Sequence, residues 1–370
     1  MKQRLFLVIT ILIYNCSIQA QLKIALPTEP QFFYGKDVTA LVYDVHLRDS
    51  LAKEFKILSF KIYDNENRLL YNNNFVERSS FEEDTNRFVK YVWINIDSPP
   101  KKIIHQIRYQ SGEKIITYSK DIIVPSNQGL LSVIPPVEKG TWLIWHAPAD
   151  SISHRRTHLE FISEFDSVQG GFKIGYNNQR FAMDFEKLND SGRIIKNNGI
   201  NNEDYLCYGE NILAVADGKV VAILDEISDN PNPPYRKDDW DINTICGNYI
   251  ALDIGNSLIA LYAHLKKHSI KVHIGDFIKQ GEIIGQIGNT GRSSGAHLHF
   301  QISRFEMPYE KSGNSFLSEG VSFVFDNYIS YSFSEKSDLG SIAEFEEHKF
   351  DSPINVKNGL PYLNEIIEIR

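Results

Sequence analysis

The sequence predicts an all-β protein of two units: an antiparallel, immunoglobulin-like β-sandwich followed by a bent β-sheet domain with glycines at its corners. Two observations carry this expectation. Residues up to about 125 run in short alternations of polar and apolar residues without a helical period, whereas beyond residue 140 the apolar runs are separated by glycines, five of them between Gly275 and Gly291. At 370 residues the chain is longer than one core usually serves. A content of 42% hydrophobic and 23% charged residues is that of a folded globular chain.

The first element is "MKQRLFLVITILIYNCSIQA", with Lys2 and Arg4 ahead of an apolar run from Leu5 to Ile13 and small or polar residues up to Ala20. This order reads as a signal peptide over residues 1–20. The run is shorter than the roughly 20 residues a membrane span requires, and "IYNC" lacks the small residues expected before a lipid-bearing Cys16. Export to the periplasm or the extracellular side of the cell envelope follows, with no stable span after cleavage. The removed segment carries two cations and no acid, so the formal charge of −8 becomes more negative still. Such acidity excludes a basic nucleic-acid footprint and suits a soluble exported protein. Cys207 and Cys246 then remain, either as a disulfide in an oxidising compartment or as two buried thiols.

Residues 21–125 form the predicted sandwich. "KILSFKIYD" sets Leu58, Phe60 and Ile62 on one face; "RFVKYVWINI" sets Val89, Tyr91 and Trp93 opposite Val92, Ile94 and Ile96. Polar turns "DNEN" and "SGEK" separate strands, as in a sandwich of about 100 residues. No cluster of His, Cys, Asp or Glu stands out there, which favours a spacer, a binding module or a lid over a catalytic role.

A Pro-, Ser- and Gly-containing stretch over residues 126–140 reads as the linker. In the second domain, residues 141–325, Asp217-Gly218 and Gly255-Asn256 each stand between apolar runs and predict hairpins. Two long polar segments, 186–210 and 225–247, are expected to wall a cleft. Residues 326–370 have mixed character and read as a tail.

The chemistry lies in "GRSSGAHLHFQI". On a strand His297 and His299 share one face while Leu298 and Phe300 take the other. His264 ends "LYAHL" with the parity of Tyr262 and Ala260, and Asp184 sits in the apolar "QRFAMDF", where an unpaired carboxylate is costly to bury. Each alone has an ordinary structural explanation; together with the glycine corners they suggest a metal site.

The run from "GENILAVADGKVVAI" to "GNTGRSSGAHLHFQI" resembles the lysostaphin-type zinc metallopeptidases, a family with the duplicated-hybrid-motif β-fold that cuts cross-bridge or stem peptides of peptidoglycan. The resemblance covers about residues 172–302 and implies that Asp184 and His299 bind zinc while His264 and His297 flank an activated water. It also exposes a departure. The family's further ligand, a histidine four residues before the aspartate, is replaced by Arg180. A guanidinium keeps its proton and cannot coordinate a cation. Either Arg180 pairs with Asp184 and leaves a metal-free binding module, or it turns away and another histidine completes the site. "WLIWHAPADSISHRRTHLEF" supplies candidates, and resemblance to a subgroup with a His-Arg-Arg element favours His154, with His158 and His146 behind it.

Three protein ligands leave an open position, the pattern of a catalytic zinc site. His297 would then accept a proton from water and His264 would assist the developing oxyanion or the leaving amine. Arg155, Arg180 and Tyr262 are candidate substrate contacts. The resulting expectation is an exported zinc endopeptidase acting on peptidoglycan peptides; the rival is a metal-free relative that binds cell wall or regulates another wall hydrolase.

Overall fold

The computed structural model describes residues 22–49, 55–73, 87–125, 129–149, 154, 177–231, 244–305, 318–333 and 352–370. The expected signal peptide, Arg155 and His158 lie outside these residues. Apart from one short 3-10 turn at Asn202–Asp204, the named elements are strands, giving the all-β fold expected from the sequence. No helix among the described residues is long and apolar enough to cross a membrane.

The N-terminal part contains two four-stranded sheets. In one, β3 (Thr39–Asp49) pairs with β1 (Leu22–Ala25), β2 (Gln31–Tyr34) and β6 (Arg87–Asn95). In the other the order is β5 (Leu69–Asn73), β4 (Phe55–Asp64), β7 (Lys102–Ser111), β8 (Lys114–Ile123). Leu41, Tyr43, Val45 and Leu47 of β3 meet Phe60, Ile62, Ile103 and Ile107 of the opposite sheet in one core. The alternation expected for β6 is present: Val92, Ile94 and Ile96 enter this core and Trp93 faces away. On β4 the expectation needs correction. The register shifts between Ile57 and Ser59, so Ile57 rather than Leu58 joins Phe60 and Ile62 in the core, because a bulge reverses side-chain parity.

The second face of β3 is buried too. Ala40 and Val42, with Phe33 and Trp93, belong to the core of the C-terminal domain, and Phe33, Trp93 and Tyr362 pack in tilted and edge-on pairs at ring distances of 5.1–5.9 Å. The sandwich is thus packed directly onto the second domain. Nor do all residues of the expected linker behave as a tether: Val133 and Val137 are fully buried, and β9 (Ser132–Val133) pairs in parallel with β20 (Val324–Phe333).

The C-terminal domain is built on a sheet whose central order is β13 (Gly218–Leu224), β14 (Asn248–Asp253), β15 (Leu258–Leu265), β18 (Leu298–Phe305), β11 (Met183–Leu188), β10 (Gly140–Trp145) and β22 (Glu365–Ile369), with β20 and β21 (Ile354–Gly359) beyond. The segment 326–370, read from sequence as a tail, therefore supplies sheet strands. Its "NEIIEI" has too few residues to reveal a partner, and it is the place of β22 between β10 and β20 that gives Ile366 and Ile367 their buried positions.

The Gly255-Asn256 hairpin joins β14 to β15, with φ of 88° and 55° at these residues. Asp217-Gly218 is not a hairpin. The strand before it, β12 (Asn211–Leu213), pairs with β17 (Ile283–Gln286), while β13 pairs with β14. Gly218 is needed for proximity: a Cβ there would lie 2.6 Å from the Asp253 carbonyl oxygen. Cys207 and Cys246 are free thiols; Cys207 lies in the core and places its sulfur 3.0 Å from the Ala296 carbonyl.

Candidate metal centre

Antiparallel pairing of β11 with β18 sets Asp184 directly opposite His299, and pairing of β10 with β11 sets Trp145 opposite Asp184. His146 follows Trp145 in a left-handed conformation, φ 50°, that turns the chain at the strand end. Its Nδ1 lies 3.1 Å from Asp184 Oδ2. His154 comes back to the same carboxylate, with Nε2 3.5 Å from Oδ2. On the other side His299 Nδ1 is 3.0 Å and His297 Nε2 3.8 Å from Oδ1. Four histidines therefore surround one carboxylate that is itself 4% exposed.

His264 arrives by a route that strand parity does not foresee. Ile250 pairs with Tyr262 and Asn248 with Leu265, so β15 carries one extra residue against β14. His264 occupies this bulge with φ 63°. The bulge separates it from the inward parity of Ala260 and Tyr262, which lie in the core, and brings its ring to 4.7 Å from His297 and 5.9 Å from His299.

The second nitrogen of His154, His264, His297 and His299 is spoken for. His154 Nδ1 is 2.9 Å from the His146 carbonyl, His264 Nδ1 2.7 Å from the Thr290 carbonyl and His297 Nδ1 2.9 Å from the Gly295 carbonyl. A carbonyl only accepts, so each of these nitrogens carries the proton and Nε2 is the bare one in the neutral ring. His299 is reversed: Nε2 is 3.0 Å from Gln301 Oε1, which directs Nδ1 to Asp184. Gln301, Thr290 and Gly295 are the orienting groups that sequence reading missed. The only sequence signal for Gln301 was its parity with His297 and His299.

Thr290 and Gly295 belong to the turn preceding β18. Gly291 has φ 71°, and a Cβ on it would lie 2.2 Å from the Gly247 nitrogen, so the two backbones cross at a distance only glycine permits. Part of the polar segment 225–247 laces this turn: Asn230 donates to the Gly291 and Ser293 carbonyls, and Asp229 accepts from the Asn289 N–H.

Burial tends to raise the Asp184 carboxyl, but His154, His297, His146 and His299 around it outweigh this and hold it well below the usual range. Burial lowers His154 to about 3 against the pull of Asp184, and lowers His264 and His297 as well. His299 alone is raised: burial opposes its charge, yet the Asp184 hydrogen bond and charge prevail. Three rings that burial disposes to neutrality, one carboxylate and a fourth ring held against it are groups that could hold a cation. His146, His154 and Asp184 bring ligand atoms within 4.8 Å of one another. Two zinc ligands at about 2.05 Å and the tetrahedral angle lie about 3.3 Å apart; the Asp184 distances to His299 and His154, 3.0 and 3.5 Å, bracket that value.

Arg180 is not in this cluster. It is 1% exposed, donates from Nε to Glu319 Oε1 at 2.8 Å and from Nη2 to Asp44 Oδ2 at 2.6 Å, and also pairs its Nη2 with Glu319. A guanidinium so enclosed offers nothing to substrate, which corrects that expectation. Tyr262 is corrected likewise. It is fully buried beside Phe300, and its hydroxyl accepts the Val215 N–H at 2.8 Å.

Residues 198–311 match peptidase family M23. This M23 segment includes His264, His297 and His299, whereas Asp184, His146 and His154 precede it. The chain is 41% identical over 60 residues to the peptidoglycan DD-endopeptidase ShyC of Vibrio cholerae, covering 16% of this chain and 13% of that one. It is 55% identical over 40 residues to lysostaphin of Staphylococcus simulans, 11% of this chain and 8% of that one. The matched stretches thus span about an eighth or less of these two relatives. Among solved structures, the catalytic domain of lysostaphin from S. simulans aligns over 46% of this chain and 84% of its own, at 22% identity and a TM-score of 0.23. A zinc-containing peptidase from V. cholerae aligns over 71% and 77%, at 15% identity and a TM-score of 0.22.

Proposed function

We propose that this protein is an exported zinc metalloendopeptidase that hydrolyses peptide bonds in bacterial peptidoglycan. The observation that carries the proposal is the paired orientation of His154 and His299. Each commits one ring nitrogen to a protein acceptor and turns the other toward Asp184, at 3.5 and 3.0 Å. In neutral rings those nitrogens are acceptors facing an acceptor, an arrangement that a cation between them relieves.

Asp184, His154 and His299 would hold the zinc, with His146 beside them as the alternative third ligand. Zinc in such a site polarises a scissile carbonyl and lowers the pKa of water. His297, with Nε2 unprotonated and its ring held by Gly295, would take a proton from the attacking water. His264, fixed by Thr290, would hydrogen-bond the developing oxyanion in its protonated form or hand a proton to the leaving amine. Burial keeps both rings neutral at rest, which suits the proton acceptor.

The metal-free reading depended on Arg180 occupying Asp184. Its bonded partners are Asp44 and Glu319 instead, and this favours the enzyme. Purified full-length protein should contain about one equivalent of zinc and release new amino groups from peptidoglycan sacculi, with Asp184→Ala losing both. Wild-type protein that takes up no zinc and leaves sacculi intact would sink the proposal; binding to sacculi without cleavage would establish the rival.

A further inference from the structure

His299, Gln301 and Ser303 alternate along the buried face of β18, each 4% exposed or less. Gln301 Nε2 donates to Ser303 Oγ at 3.0 Å, and Ser303 Oγ donates to the Asn178 carbonyl at 3.1 Å. The direction of this relay is set at its far end. Because the carbonyl only accepts, the Ser303 hydroxyl gives its proton there and accepts from the Gln301 amide. Gln301 must then present Oε1 to His299, whose Nε2 carries the proton and whose Nδ1 is left bare for a metal.

Asn178 belongs to a tight turn closed by Arg180 N–H to the Asn177 carbonyl at 3.3 Å and Ala182 N–H to the Gln179 carbonyl at 3.1 Å. Glu319 holds this turn from the side away from the relay. One carboxylate oxygen accepts the Asn177 N–H at 3.0 Å and the other accepts the Arg180 guanidinium. Arg180 in turn reaches Asp44 on β3 of the sandwich. Gln31 of the sandwich clamps the same region, donating to the Gly320 carbonyl and accepting the Ser322 N–H, both at 2.8 Å. Two carboxylates and a guanidinium are expensive to bury unpaired, and here they are paired with one another and with the turn.

We infer that Asp44, acting through Arg180, Glu319 and the 177–180 turn, and Ser303, acting through Gln301, are positioning residues on one chain of contacts that fixes His299 as a metal ligand. The N-terminal sandwich is thereby a working part of the metal centre, not a tethered module. This inference rests on the zinc reading above.

The test uses the full chain and measures the zinc dissociation constant by chelator competition, with thermal unfolding of the metal-free protein recorded separately. Ser303→Ala and Asp44→Asn are each expected to weaken zinc binding about tenfold or more. The double variant should be no weaker than the worse single one, since both cut the same chain. If Asp44→Asn does not fold, Glu319→Gln takes its place: one amide oxygen cannot serve both Arg180 and the Asn177 N–H. Zinc binding within twofold of wild type in the folded single variants, or effects that multiply in the double, overturns the inference while leaving the zinc enzyme intact. Wild-type protein without zinc affinity fails at the earlier step.

Discussion

His264 and His297 lie side by side in the candidate metal centre, rings 4.7 Å apart and tilted at 52°, each with Nδ1 held by a backbone carbonyl. Their outer nitrogens are anchored to backbone carbonyls that no side-chain substitution removes. What separates them from His154 and His299 is distance to the Asp184 carboxylate, 3.5 and 3.0 Å for those two against 3.8 Å for His297, and it has a measurable consequence. His264→Ala and His297→Ala should each keep about one equivalent of zinc and lose roughly 10²–10⁴-fold in peptidoglycan cleavage. Loss of zinc from either variant would move that residue into the ligand set.

Tyr262 gives a control of opposite sign. Its hydroxyl serves the buried Val215 N–H, so Tyr262→Phe should leave kcat and KM unchanged while lowering stability by about 1–3 kcal/mol for the unsatisfied donor. Denaturant unfolding beside a cleavage assay checks it. A fall in kcat with unchanged stability would return Tyr262 to the substrate site.

Gly291→Ala should be far more damaging than a surface substitution. With φ at 71° and the added Cβ 2.2 Å from the Gly247 nitrogen, the turn that carries the Thr290 carbonyl cannot keep its place. A loss of about 3 kcal/mol or more is expected, with His264 released from its anchor. Thermal unfolding and cleavage should fall together; a variant of wild-type stability would show that the crossing relaxes freely.

Glu319 brings a pH dependence. Burial raises its carboxyl to about 7, opposed by Arg180 and reinforced by Asp44. A folded pKa above the unfolded one means that the folded state binds the proton more tightly. The associated stability is therefore full below the ordinary value near 4.5 and is lost as pH rises toward 7, on the order of 3 kcal/mol in all. Glu319→Gln removes this term. Wild type should lose stability relative to the variant across that window, and a constant difference between the two unfolding curves would contradict it.

Much of this was readable in the chain. The His297–His299 pair, Asp184 and His264 were identified by residue type and spacing, and the structure brings all four together. The sandwich alternation on β6 was legible because one strand face meets a core. What failed did so at irregularities. A bulge moved Ile57 inward on β4, and another freed His264 from the parity of Tyr262. Asp217-Gly218 looked like a turn because glycine serves both tight turns and close approaches, and the sequence does not distinguish them. The partners of Arg180 were invisible, since Asp44 and Glu319 lie more than a hundred residues away on either side.

Residue chemistry along the chain therefore determined that a carboxylate and several imidazoles were available, and that the guanidinium of Arg180 cannot itself bind metal. Only the folded sheet decided which imidazoles meet the carboxylate, which nitrogen each one shows it, and that the guanidinium pairs with Asp44 of the sandwich and Glu319 of the C-terminal domain. The reason is physical: side-chain identity is local, but tautomer, desolvation and charge pairing depend on groups that only long-range strand pairing brings within bonding distance.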